Sequence, residues 1–263
     1  MLMGESAAKV PGPLRVLAGK LLCLPGELRA YRVFRQEFKK FSELPGAADR
    51  FQLEWRDRYP CLHDKTAITG FDRHYVFHTA WGARKVAQIK PQSHVDISSS
   101  LHFCTLVSAF VPVRFYDYRP VDLCLSDLSC ASADLLNLPF DDESIASLSC
   151  MHVVEHVGLG RYGDPLDPEG DLKAVAELKR VLAPGGSLLF VVPVSGRPCC
   201  MFNAHRIYSY SQVLELFYGL DLVEFSLVPD DPVDGGLVVD AGKALADAQK
   251  YGCGCFWFRK PVT

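Results

Sequence analysis

The chain alternates between two periods of hydrophobic spacing, and each period predicts its own kind of element. Leu28, Tyr31, Phe34, Phe38 and Phe41 recur at three- and four-residue steps, one face of a helix, while Arg29, Arg32, Arg35, Lys39 and Lys40 fill the other face. Pro11-Gly12-Pro13, Pro25-Gly26 and Pro45-Gly46 are expected to cut this first region into short helices. A further helix is predicted over 72–89, capped by Asp72 and closed before Pro91. Residues 94–97 read as a short strand, 100–110 as a helix and 113–116 as a second strand; a third strand-like segment ends at Asp134. From 144 to 151 apolar and small residues mix without alternation, as in a strand covered on both faces. Leu172, Val175, Leu178, Val181 and Leu182 return to helical spacing behind a capping Asp171. Pro184-Gly185-Gly186 is expected to stop that helix before a strand over 187–193. Residues 220–228 and 254–258 are the candidate last strands, with 229–251 as their connection.

Strand, helix and strand in this order make a right-handed crossover in a parallel sheet. The pattern therefore predicts an α/β fold, doubly wound and mostly parallel, and such sheets take ligands beyond the carboxyl ends of their strands. Val154-Glu155-His156-Val157 lies just past such an end. The loop 158–170 is long for a strand-to-helix connection, and it carries Arg161, Tyr162, Asp164 and Asp167 among four glycines and two prolines. Carboxylates and arginines that hold hydroxyls, with an aromatic for a ring's apolar face, suit a sugar. A loop tied together by its own ion pairs has the same composition, and both readings stay open. Asn203-Ala204-His205-Arg206 follows the next strand and is expected to reach the same rim.

The words LPFDDESIASLSCMHVVEHV (138–157) and LKRVLAPGGSLLFVVP (178–193) closely resemble the second half of a class I S-adenosylmethionine-dependent methyltransferase. EHVGLGRYGDPLDPEGDLKAVAELKRVLAPGG, with the later FNAHRIYS, resembles a narrower group: an uncharacterised bacterial family of methyltransferase-like proteins associated with surface-polysaccharide genes. The resemblance spans residues 71–228 and implies a seven-stranded Rossmann-like sheet with S-adenosylmethionine as cofactor. It places Asp96 at the head of the cofactor turn, where the family carries three glycines and this chain has Ser98, Ser100 and His102. Small serines can still allow close approach, with Ser98, Ser99 and Ser100 donating to the cofactor carboxylate; the alternative is an altered pocket that lost the cofactor. Asp117, 21 residues after Asp96 (117 − 96), stands where an acid accepts the ribose hydroxyls. Asp134 with Leu135 implies an adenine contact, and His152 a further cofactor contact. Glu155 and His156 are expected to face the substrate or to cap the following loop; His156 is the first choice of base and His205 the second. Arg161, Tyr162, Asp164 and Arg206 are the candidate substrate contacts.

Composition narrows the picture further. The formal net charge is −3, which gives no global electrostatic case for nucleic acid. The ten cysteines include no CxxC pair and read as reduced thiols, with no metal expected at Cys199-Cys200 or Cys253-x-Cys255. His152-x-x-Glu155-His156 spells an inverted zinc-protease word, but the residues before it read as strand rather than helix. Leu14 to Leu24 is broken by Arg15, Gly19 and Lys20 and is too short to cross a bilayer, so a cytoplasmic protein is expected. The organisation is an N-terminal helical extension (1–70) and a methyltransferase-like domain (71–263). The aromatic stripe of the extension is expected to pack on the domain or on a second subunit with its basic face solvated; the alternatives are that this face lies on anionic lipid as a peripheral contact, or that it binds a partner. Tyr75, His78 and Trp81 face either the cofactor cleft or the core. The leading function is methyl transfer to an oxygen of a glycan or glycan precursor. Beside it stand a non-catalytic binding module on the same fold and a different enzyme using a sugar nucleotide.

Overall fold

The computed structural model describes residues 13–119 and 121–262, with side chains from residue 26 onward. Its contacts separate two units, with the division between Asp72 and Arg73. In the first, α1 (Pro13–Ser42) runs unbroken through Pro25 and Gly26, where the punctuation predicted an interruption. Proline's own φ is a helical value, so the chain forfeits one ladder bond rather than the helix. Pro11 and Gly12 lie outside the described residues. Tyr31, Phe34 and Phe38 gather around Trp55, with ring centroids at 6.4, 5.9 and 4.9 Å. The Arg58 guanidinium covers the same indole at 4.6 Å and donates to the Tyr31 hydroxyl at 3.2 Å. The aromatic stripe thus packs on its own return segment, while Leu28 and Phe41 at its ends stay exposed.

The second unit is built on a seven-stranded sheet. Its strands are β1 (His94–Ile97), β2 (Val113–Asp117), β3 (Leu128–Ser132), β4 (Ile145–Met151), β5 (Leu182–Val194), β8 (Asp221–Val228) and β9 (Gly252–Arg259). A separate hairpin, β6 (Cys199–Met201) with β7 (His205–Ile207), stands between β5 and β8 in the chain. The sheet order is β3-β2-β1-β4-β5-β9-β8, with β9 antiparallel to both of its neighbours and the other pairings parallel. The predicted doubly wound, mostly parallel sheet is therefore present. One face is covered by α2 (Arg73–Ile89) and α3 (Leu101–Val107), through Trp81, Val86, Phe103 and Val107. The other is covered by α4 (Gly170–Val181), α5 (Tyr210–Leu216) and α6 (Lys243–Asp247), through Val175, Leu178, Val213 and Ala246. Helices on both faces explain why β4 and β5 bury nearly every position and lack polar alternation.

Three expectations are corrected here. α3 ends at Val107, shorter than the predicted 100–110. The residue before α4 is Glu169, and Asp171 is no cap: it is buried, accepts from the Tyr208 hydroxyl at 2.9 Å and faces Arg206 Nε at 3.6 Å. Pro184-Gly185-Gly186 does not stop a helix that already ends at Val181; it forms a bulge inside β5. The pairing jumps from Ile145↔Leu182 to Ser147↔Ser187 across it. Gly185 takes φ +73°, and a Cβ on Gly186 would meet the Ala183 carbonyl oxygen at 2.7 Å. Among the described residues no helix is long and apolar enough to cross a membrane.

Candidate active site

The carboxyl ends of β1, β2 and β3 form one margin of the site. Ser98 N donates to Tyr116 O at 2.7 Å and Ala133 N to Asp117 O at 3.0 Å, so the ladder continues beyond the strands. It brings Ser98, Asp117 and Asp134 to the same edge. Ser98 holds φ +54°, in the left-handed region that glycine enters without penalty. Its hydroxyl turns back to Tyr116 O at 3.2 Å, and the Ser99 hydroxyl accepts from Met151 N at 2.9 Å. Both side chains are tied to the sheet. Ser100 precedes α3 without a side-chain capping bond. Asp117 and Asp134 each spend one carboxylate oxygen on a backbone N–H two residues on, Arg119 at 2.7 Å and Leu136 at 2.9 Å. Leu135 buries its side chain in the core instead of offering it to a ligand.

Asp96 shapes this turn from below. It is fully buried, accepts from Ser99 N at 3.0 Å and from the Ser149 hydroxyl, and burial pushes its carboxyl up to about 6. Burial likewise holds the His94 imidazole down at about 3, so the ring is neutral. With its proton given to Asp96, Ser149 accepts from His94 Nε2 at 2.8 Å; His94 Nδ1 then accepts from Ser147 at 2.8 Å. The chain of bonds is complete inside the sheet, and the expected direct contact of Asp96 with a cofactor is replaced by support of the turn.

The second margin follows β4. His152 takes φ +58° and its N–H donates to Val191 O at 2.8 Å, which turns the chain into a 3₁₀ turn over Val154–His156. Glu155 is 1% exposed. Its Oε1 accepts from His152 Nδ1 at 2.8 Å and lies 3.9 Å from His156 Nε2, while its Oε2 is buried without a hydrogen-bond partner among the described residues. Burial pushes the Glu155 carboxyl up to about 7, against the pull of His156, His205 and Arg161. His156 Nδ1 lies 2.6 Å from the Ala204 carbonyl, which can only accept. That nitrogen therefore carries the proton, and Nε2 presents the lone pair. Burial lowers both His156 and His205 from the usual imidazole range.

Arg161 donates to the same Ala204 carbonyl at 3.1 Å. Tyr162 meets the His156 ring edge-on at 5.6 Å and lies under Arg161 and Arg119 at 5.1 and 4.7 Å. His205 on β7 stands 6.3 Å from His156, its Nε2 buried without a hydrogen-bond partner among the described residues. Glu155, His156, Arg161, Tyr162 and His205 are thus brought together. Asp164 and Arg206 are not substrate-facing, which corrects the expectation for both. Burial alone would raise Asp164, but the N–H groups of Tyr162, Gly158 and Gly160 outweigh it and hold the carboxyl low. Arg206 donates to the carbonyls of Val157 at 2.6 Å and Pro168 at 3.3 Å. These two side chains build the loop from within.

His74, Tyr251 and Cys253 join the site without having been anticipated. His74 stacks on His152 at 5.5 Å and on Tyr251 at 5.0 Å, and Cys253 Sγ lies 3.4 Å from His152 Nε2. Tyr75 stacks on His152 at 5.6 Å and His78 meets it edge-on at 5.0 Å, so both belong to this cluster. Trp81 does not: it is buried in the core and donates to Glu224 at 2.9 Å. The four-residue step from His74 to His78 was the available signal, since it puts both on one helical face. Cys253 carried none.

A family model described as Caenorhabditis protein of unknown function, DUF268, matches residues 140–235, fewer than half of the chain. This match does not show the bacterial, polysaccharide-associated family that the longer motif resembles. No curated protein matches the chain. Among solved structures the chain is similar to the 1,6-didemethyltoxoflavin-N1-methyltransferase of Burkholderia thailandensis with bound 1,6-didemethyltoxoflavin and S-adenosylhomocysteine. The identity is 12% and the TM-score 0.50, over 70% of this chain and 79% of that one. It is also similar to the N-methyltransferase NodS of Bradyrhizobium japonicum in complex with S-adenosyl-L-homocysteine, at 14% identity and TM-score 0.48, over 86% and 97% of the two chains. At these identities the likeness is one of fold.

Proposed function

We propose that this protein transfers a methyl group from S-adenosylmethionine to a hydroxyl oxygen of a glycan or glycan precursor. The observation that carries the reading is His156. Its Nε2 lone pair stands beside a buried Glu155 at the carboxyl end of β4, on the same sheet edge as a left-handed turn after β1. The residues suit the cofactor. Ser98 already holds the backbone conformation of the family's glycine, its hydroxyl is drawn back, and Asp117 and Asp134 offer acceptors for the ribose hydroxyls and the adenine amino group. The toxoflavin enzyme of similar fold was solved with S-adenosylhomocysteine. When bound, the cofactor supplies an electrophilic methyl group on a sulfonium.

A hydroxyl, unlike a neutral amine, must lose its proton as it is alkylated, and a partly buried neutral imidazole is suited to take it. His156 Nε2 receives that proton. The Glu155 carboxylate, 3.9 Å from that nitrogen, stabilises the imidazolium, and the Ala204 carbonyl holds Nδ1–H in place. His205 stands behind as the second base. Tyr162, flanked by Arg119 and Arg161, supplies the apolar face and the cations that a sugar ring and its hydroxyls favour.

The test is calorimetric titration of the full chain with S-adenosylmethionine and S-adenosylhomocysteine, followed by transfer of labelled methyl to a panel of oligosaccharides. Binding tighter than about 1 mM, roughly 4 kcal/mol, is expected for both. No binding of either would overturn the reading in favour of a non-catalytic module on this fold. Binding with transfer only to amines would leave the cofactor and remove the acceptor.

A further inference from the structure

We infer that His74, His152 and Cys253 form a zinc site beside the proposed catalytic rim. Their ligand atoms lie within 4.8 Å of one another, and all three residues belong to the same unit. Zinc holds imidazole nitrogen at about 2.0 Å and thiolate sulfur at about 2.3 Å, so a tetrahedral ion separates the two by roughly 3.5 Å. His152 Nε2 and Cys253 Sγ stand 3.4 Å apart. Two imidazoles and one thiolate are a borderline-soft donor set of the kind zinc takes.

The surroundings of the ligands point the same way. A metal-bound histidine usually donates its other ring N–H to a carboxylate or a backbone carbonyl, which fixes the tautomer. His152 Nδ1 meets Glu155 Oε1 at 2.8 Å, leaving Nε2, the nitrogen next to Cys253, as the lone pair. His74 Nε2 likewise donates to a backbone carbonyl, that of Tyr251, at 3.2 Å. The thiolate and the Glu155 carboxylate together match the two charges of the ion. On binding, the Cys253 thiol proton leaves to solvent and a sulfur–zinc bond takes its place. Three protein ligands leave a fourth position for water or a substrate oxygen, the arrangement of zinc sites that meet substrate. The inference does not depend on methyl transfer, since it rests on the donor set alone.

The test uses the full-length protein, stripped with a chelator and titrated with Zn²⁺ and with Co²⁺ as a spectroscopic probe. One equivalent of Zn²⁺ is expected to bind, and Co²⁺ is expected to give visible bands of a tetrahedral site with a near-ultraviolet sulfur-to-cobalt band, displaced by Zn²⁺. Cys253→Ser should abolish the sulfur band while far-ultraviolet circular dichroism stays that of the parent. His74→Ala should weaken Zn²⁺ binding, and Glu155→Gln should weaken it about 10–100-fold. A Cys199→Ser/Cys200→Ser double variant, which alters the exposed thiols of the hairpin, should leave it unchanged. Absence of a sulfur band in the parent protein, or a band that survives Cys253→Ser, would overturn the inference.

Discussion

The two halves of the sheet's carboxyl edge solve opposite problems. The β1–β3 margin is open: Asp117 and Asp134 sit at strand ends, and the serine turn keeps its hydroxyls bound to the sheet. The β4–β5–β9 margin is closed, with Glu155 and Cys253 buried and His152 nearly so. Open carboxylates keep their contact with water and are ready to accept hydrogen bonds from a polar ligand. Burial removes that solvation on the other side: it raises the Glu155 carboxyl to about 7 and lowers the His156 and His205 imidazoles, so both kinds of group favour their uncharged forms. One side is suited to recognition and the other to moving protons. The contrast follows from solvent access, since each side carries carboxyl groups.

The predictions probe that division. His156→Ala should lower methyl transfer by about 10²–10⁴-fold while leaving S-adenosylmethionine affinity nearly unchanged, measured by single-turnover transfer and calorimetry. Full turnover in that variant would hand the role to His205. Asp96→Asn tests the buried support beneath the open margin. Burial raises the folded carboxyl to about 6, so the folded state keeps a proton that the unfolded chain has already released. Its contribution is complete below about pH 4 and is lost as pH rises through 6, on the order of 3 kcal/mol. Subtracting the variant's denaturation curve from the parent's at each pH should reveal this slope; identical curves would show that Asp96 does not titrate there.

Asp117→Ala should cost S-adenosylmethionine affinity about 1.5–3 kcal/mol, with the thermal midpoint little changed. If the midpoint falls and the affinity holds, the residue supports the strand end and not the ligand. The smallest effect is expected of a glycine at the turn. Ser98→Gly should stabilise the protein by about 1 kcal/mol, because glycine accepts φ +54° without strain, and cofactor binding should be kept or improved. Ser98→Leu should abolish binding, whereas equal affinity of the glycine and leucine variants would place the ligand elsewhere.

The parallel sheet was legible because its signals are local. Uninterrupted apolar runs at β4 and β5 and the helical stripe of α4 each report burial through their own period. The acids of the open margin were legible too, because each stands at the end of its own strand. The proline-glycine words misled where backbone geometry had more than one outcome: Pro25 remains inside α1, and Gly185-Gly186 makes a bulge in β5. Asp164 and Arg206 were read as substrate contacts, because composition cannot tell a carboxylate that faces a ligand from one that holds its own loop together.

Periodicity along the chain was enough to establish which segments are strands, which faces are apolar and which strand ends carry acids. Each of those depends on neighbours a few residues away. Only the tertiary structure could bring His74 and Cys253, from opposite ends of the second unit, onto His152, or set His205 beside His156. It also decided which histidine nitrogen carries the proton, because the Ala204 carbonyl and the Glu155 carboxylate arrive from elsewhere in the fold or by a turn that packing enforces. A side chain's chemistry depends on solvent and on through-space partners, and neither has a period that a sequence can display.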